Sequence, residues 1–302
     1  MEVYVCVWGH LALDRLLGMS SDFSLPIPTF PLNTDGIDPS GTNILIERVK
    51  ITNFDDAVAI KPADKDGKMA TCSENIIVRD CEVNFGVGMS IGSVAARESY
   101  RCVRNVTFSN ITFNHPLKAL YIKTNPGSTS SMLPGSGGEI TNIVYEDIKI
   151  NFPIWWNIYI GPQQMKEPDG RGPGCMLYPI DPDCATEPLI TIANITLRNI
   201  ESHSGFLPPG IIRCNETNPC TGINFENVQV HGWWSMFRLN FITEYAHGTV
   251  TNSKPHPALD GQSSVFTYLR QWFFHALRDI ISGDLTAERT FRYYTELFLD
   301  NI

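Results

Sequence analysis

One pattern returns down the middle of the chain and limits what it can fold into. "NILIERVKI" at 43, "NIIVRDCEV" at 75, "NVTFSNITF" at 105, "NIVYEDIKI" at 142 and "NITLRNIES" at 194 each carry Asn followed by alternating apolar residues, with "GINFENVQV" at 222 a weaker copy. A second short apolar run follows most copies: "VAIKP" at 58, "MSIGS" at 89, "LYIKT" at 120 and "IYIGP" at 158. Aligned, Ile60, Ile91, Ile122 and Ile160 form one column spaced by 31, 31 and 38 residues, and Val58, Met89, Leu120 and Ile158 form another. Period-2 strands that recur at a near-constant interval, with no helical stretch between them, predict stacked parallel coils. Each coil would bury its inward side chains on the next. A β-sandwich has short strands too, but gives no reason for equivalent residues to return at fixed spacing. The expected fold is all-β, a right-handed parallel β-helix, with the Gly- and Pro-rich stretch 162–187 a long loop leaving one coil.

Three segments follow: a non-conforming N-terminal segment 1–32, the β-helix domain 33–262, and a segment 263–302 whose apolar spacing turns helical at "SVFTYLRQWFFHALRDIISG". Both ends read as sequence foreign to the solenoid. "MEVYVCVWGHLALDRLLGMSS" is broken by Glu2, His10, Asp14 and Arg15, so it makes a poor signal peptide and is too short for a membrane span.

Net charge is −9, which argues against a nucleic-acid partner, whose affinity comes from Lys and Arg on phosphates. None of the eight cysteines forms a CxxC pair, so a zinc site is not expected. Cys175/Cys184 and Cys214/Cys220 flank short Pro-bearing loops and suit disulfides in an oxidising compartment. Sequons at Asn105, Asn110, Asn194 and Asn215 are compatible with secretion.

The chemistry-bearing residues lie around "FDDAVAIK" at 54 and "NTDGID" at 33. An isolated Asp-Asp marks a solvated bend, an Asx turn or a calcium site. Here Asp35 lies two residues before Ile37, as Asp56 lies two before Val58. If Ile37 joins the inward column, Asp35 and Asp56 become neighbours about 4.8 Å apart, with Asp55 beside them. Crowded carboxylates push their pKa values apart, which provides the acid and the base that a glycosidase needs.

In this order and spacing, "NTDGID", "DDAVAIK", "GVGMSIGS" and "YIKT" resemble glycoside hydrolase family 28, the polygalacturonases and related pectinases, over about residues 33–235. The resemblance implies a parallel β-helix and hydrolysis of α-1,4 galacturonide bonds with inversion, without metal or other cofactor. It implies a secreted monomer acting on pectic polysaccharide, away from membranes. It gives Asp55 as proton donor, Asp35 and Asp56 as the pair that deprotonates water, and Lys123 and Asn33 as substrate contacts; Tyr121 and the Trp155-Trp156 and Trp233-Trp234 pairs are read from the residues themselves as ring platforms for sugars. Two positions depart from the family: Val87 stands where Gly-His-Gly has histidine, and Tyr121 where Arg-Ile-Lys has arginine. Val87 cannot exchange protons, and Tyr121 cannot clamp a carboxylate in bidentate fashion. A rhamnogalacturonan-type hydrolase, a calcium-dependent lyase and an inactive carbohydrate-binding β-helix are the alternatives. In the family several coils precede the NTDG motif, so a chain with 32 residues before Asn33 is expected to expose the edge of its first coil.

Overall fold

The computed structural model describes residues 2–4, 34–63, 72–96, 100–127, 137–165, 175, 178, 184–205, 207–232 and 239–264. Within them the chain is a right-handed parallel β-helix. One sheet joins β1 (Glu2–Tyr4), β2 (Thr42–Glu47), β3 (Lys50–Asn53), β5 (Ser73–Phe85), β7 (Arg101–Asn114), β9 (Gly138–Asn151), β11 (Ile190–Gly205), β13 (Cys220–Gly232) and β15 (Ala246–Thr251). The second joins β4 (Val58–Ile60), β6 (Met89–Ala95), β8 (Lys118–Asn125), β10 (Trp156–Gln163), β12 (Gly210–Arg213) and β14 (Ile242–Glu244). All ladders between these strands are parallel. The expected helical segment lies outside the described residues beyond residue 264.

The columns read from sequence are the registers of the second sheet. Ile60, Ile91, Ile122 and Ile160 pair in turn and continue to Ile212, while Val58, Met89, Leu120 and Ile158 run beside them. Ile37 bridges Val58 in parallel, so the NTDG segment joins the stack. On the long sheet Ile76, Val106, Ile143, Ile195 and Ile223 form the facing column, and both columns are buried. Branched side chains suit this interior because each packs on its own kind one coil away.

The repeated asparagines have a backbone cause. Asn75, Asn105, Asn142 and Asn194 sit at φ of 56°, 53°, 56° and 57°, the left-handed region that Asn tolerates better than most residues. Each turns its long strand around a corner. Their amides also donate along the helix axis, Asn75 to Asn43, Asn105 to Asn75, Asn142 to Asn105 and Asn194 to Asn142, at 3.2–3.4 Å. Three of the four sequon asparagines are therefore corner residues: Asn105 and Asn194 in this ladder, and Asn110 in a parallel one through Asp80.

The edge of the first coil differs from expectation. Glu2–Tyr4, inside the segment that shows no coil in the sequence, pair with Lys50–Thr52 and cover that edge of β3. Disulfides Cys175–Cys184 and Cys214–Cys220 close the two loops expected to carry them. A third, Cys72–Cys102, ties consecutive coils where sequence spacing gave no sign.

Ile143 is fully buried, whereas Leu45 is 53% exposed, though both belong to the repeated apolar pattern. Ile143→Ala is expected to lower the unfolding free energy by about 2–5 kcal/mol, and Leu45→Ala by no more than about 0.5 kcal/mol. Urea unfolding checks both, and equal losses would contradict this assignment of inward and outward faces.

Candidate active site

The three aspartates converge on the outer wall of the second sheet at its first coil. Asp35, Asp55 and Asp56 each bring a carboxylate oxygen within 4.8 Å of the other two. Local backbone geometry fixes them there. Gly36 N donates to Asp56 O at 2.9 Å and Ile37 N to Ala57 O at 3.1 Å, which ties the NTDG segment to the Asp-Asp corner. Asn53 lies buried behind the corner and donates to Thr34 O and Asp56 O. A Cβ on Gly36 would stand 2.5 Å from Ala57 O, so only glycine lets the two backbones approach this closely. Asp55 turns back on its own corner, where its Oδ1 accepts the Asp56 N–H at 2.8 Å. Its carbonyl accepts from Val87 N at 2.8 Å.

The three carboxylates have different surroundings. Asp56 is buried, with Oδ1 accepting from Ser90 Oγ and Oδ2 from Lys123 Nζ, both at 2.5 Å. The Lys123 and Asp56 side chains are 3% and 1% exposed, which makes this a buried ion pair. Asp35 is half-buried, and Lys61 Nζ lies 3.5 Å from both its carboxylate and that of Asp38. Burial raises the pKa of Asp35 above its ordinary value, helped by the negative charges of Asp38 and Asp56 and opposed by Lys61.

Beyond the triad the wall is aromatic and basic. Tyr121 is 5% exposed and meets Tyr159 edge-on at 5.5 Å, and Val87, Trp155 and Trp156 pack in the same cluster. Lys118 Nζ stands over both tyrosine rings, 4.0 Å from one centroid and 4.3 Å from the other. Burial keeps the phenol of Tyr121 protonated by raising its pKa.

The structure thus brings together Asp35, Asp55, Asp56, Lys123 and Tyr121 from the residues singled out in the sequence. Asn33 lies outside the described residues, as does the Trp233-Trp234 pair. Two of the assembled side chains have close partners of their own within the protein. Lys123 faces Asp56 rather than an open cleft, because β8 is paired into the middle of the sheet and the nearest anion is one it can bond inside the protein. Tyr121 offers no open ring to a sugar, because Lys118 covers one face and Tyr159 its edge. Ser90, Lys61 and Lys118 also stand at the site, though no sequence motif marks them. Lys118 was discoverable: it lies two residues before Leu120, the offset at which Asp56 precedes Val58.

A parallel β-helix with clustered carboxylates on its outer wall has counterparts among known proteins. The model of glycosyl hydrolases family 28 matches residues 18–172, and the chain belongs to that family. It is 31% identical over 212 residues to probable exopolygalacturonase X of Neosartorya fischeri, covering 66% of this chain and 43% of that protein. Probable rhamnogalacturonase E of Aspergillus flavus is 27% identical over 199 residues, covering 65% of this chain and 36% of its own. A hyperthermoactive exopolygalacturonase from Thermotoga maritima shares the fold with a TM-score of 0.51 at 22% identity, over 73% of this chain and 44% of its own. The chain spans less than half the length of these relatives.

Removing one partner of a buried ion pair strands the other charge. Lys123→Met is expected to cost about 3–5 kcal/mol of stability, and adding Asp56→Asn to restore most of it. Denaturant unfolding of the single and double variants reads this directly; additive losses would contradict the pairing.

Proposed function

We propose that the chain is an inverting glycoside hydrolase acting on galacturonide linkages of pectic polysaccharide. The observation that carries the reading is the convergence of Asp35, Asp55 and Asp56 within 4.8 Å on one outer wall. Asp55, half-buried at the bend, gives its proton to the glycosidic oxygen as the C1–O bond breaks. Asp35 and Asp56 hold one water between them and take its proton as its oxygen attacks C1 from the opposite face, which inverts the anomer. A water about 2.7 Å from each of two oxygens bridges gaps up to roughly 5 Å, so the observed spacing accommodates a shared nucleophile. This spacing, between nearest carboxylate oxygens, is tighter than the carboxyl separation of most inverting pairs.

The ion pair gives Lys123 a positioning role, holding Asp56 toward that water together with Ser90. The raised pKa of Asp35 suits a base working closer to its operating pH. The Trp155–Trp156 region and Val87 give the wall an apolar margin for sugar rings. Three disulfides among the described residues support an extracellular setting. No helix among the described residues is long and apolar enough to cross a membrane, and we read the active form as a monomer.

Incubation with polygalacturonan, and in parallel with rhamnogalacturonan backbone, is expected to yield new reducing ends from the first, unaffected by chelator. Asp55→Asn should lower kcat about 10²–10⁴-fold. An unsaturated product lost on chelation would instead favour a calcium-dependent lyase. Reducing ends from rhamnogalacturonan alone would move the substrate to that backbone, toward the activity named for the Aspergillus flavus relative. Because Asp35 works ionised, kcat/KM should fall as pH drops through its raised pKa. The acid limb should therefore lie above the ordinary aspartate value of 3.8. A limb at or below that value would remove Asp35 from the role of base.

A further inference from the structure

The row that holds Asp56 continues past it. Counting back two residues from Val58, Met89, Leu120 and Ile158, which pair in sequence, gives Asp56, Val87, Lys118 and Trp156. Asp35 begins the row, two residues before Ile37. One line along the outer wall thus carries two carboxylates, an apolar spacer, a lysine and a tryptophan.

Lys118 stands out in this line. Its Nζ lies above Tyr121 and Tyr159, whose π-faces attract a cation but supply no anionic partner. Among the described residues no carboxylate lies within ion-pairing distance of it. The neighbouring ammonium, Lys123, sits 4.8 Å from the same Tyr121 ring and is already neutralised by Asp56. Lys118 keeps part of its side-chain surface exposed, while the protein packed around its head group is dense enough that burial is the main cause of its lowered pKa. A cation fixed by two rings, short of water and without a counter-ion is preorganised for an anion arriving from outside.

We propose that Lys118 reads the carboxylate of an acidic sugar unit and so sets a preference for free uronate over its methyl ester. This rests on the reading of the substrate as pectic polysaccharide, and it moves carboxylate recognition away from Lys123. A sugar unit seated beside the triad would project its carboxylate along the row, past Val87, to Lys118. Tyr121, in place of an arginine clamp, serves as the platform that holds the lysine.

The groups facing Lys118 also give the interaction a pH limit. Burial and then the charge of Lys123 lower its pKa, to about 7, against the opposing pull of Asp56 and Asp55, while Tyr121 and Tyr159 stay neutral beneath it. Below that value the lysine is charged and binds a carboxylate; above it the free protein must first take up a proton, and affinity falls.

Titration calorimetry with trigalacturonate and its trimethyl ester, on the chain carrying Asp55→Asn so that neither is cleaved, separates this inference from the hydrolase assignment, which the reducing-end assay tests alone. The acid is expected to bind roughly tenfold to a hundredfold more tightly than the ester, the range of one charge-assisted bond. Adding Lys118→Met should abolish the difference and Lys118→Arg retain most of it. Equal binding of acid and ester by the parent, discrimination surviving Lys118→Met, or failure of both ligands to bind would each overturn the proposal. Should Lys118→Met not fold, a pH series on the parent decides: affinity for the acid alone should decline above about pH 7, and a flat response to pH 9 would overturn it.

Discussion

Everything in this molecule depends on parallel coils stacking in register. Parallel strands without helices between them can bury both sheets only if each coil repeats the inward pattern of the last. The two isoleucine-rich columns meet that condition, and the corner asparagines let the backbone bend without straining a bulkier residue. Once register is set for burial it is also set for the outside. Residues at one offset from the core column fall in a line along the outer wall whatever their chemistry, and Asp35, Asp56, Val87, Lys118 and Trp156 make such a line. The site is a by-product of the core's own repeat.

That dependence explains what was legible in the sequence. The inward columns could be read because period-2 apolar patterns are long and redundant. The meeting of Asp35 with Asp56 followed from them by counting. Lys118 follows from the same count but is absent from a search by motif, because its neighbours "HPLKAL" contain nothing that marks chemistry. The partner of Lys123 was not legible. A strand lysine looks the same in sequence whether it faces a ligand or reaches 67 residues back to Asp56. Cys72–Cys102 was hidden for a related reason: sequence neighbours advertise short disulfide loops, whereas a bond between successive coils has no local mark. The strand Glu2–Tyr4 is only 3 residues long, too few to display a period.

The buried Asp56–Lys123 pair links stability to chemistry. A charge pair in a dry wall contributes little net stability, and an apolar replacement of both partners is often as stable. Its presence at the triad is better understood as orientation. With Ser90 and Lys123 on its two oxygens, Asp56 has a defined direction, while Asp35 keeps a looser setting against Lys61 and a raised pKa. Similar carboxylates thereby receive different settings from their neighbours alone, the division that the proposed reaction uses. Val87 packs at the margin of the row, and Tyr121 with Tyr159 carries Lys118.

The most direct measurement is a crystal structure of the chain carrying Asp55→Asn with trigalacturonate bound. One sugar should lie across the row, its anomeric carbon facing a water shared by Asp35 and Asp56 and its carboxylate at Lys118 Nζ. A ligand seated on another face, or one whose carboxylate meets Lys123 while Lys118 stays on its tyrosines untouched, would contradict the account.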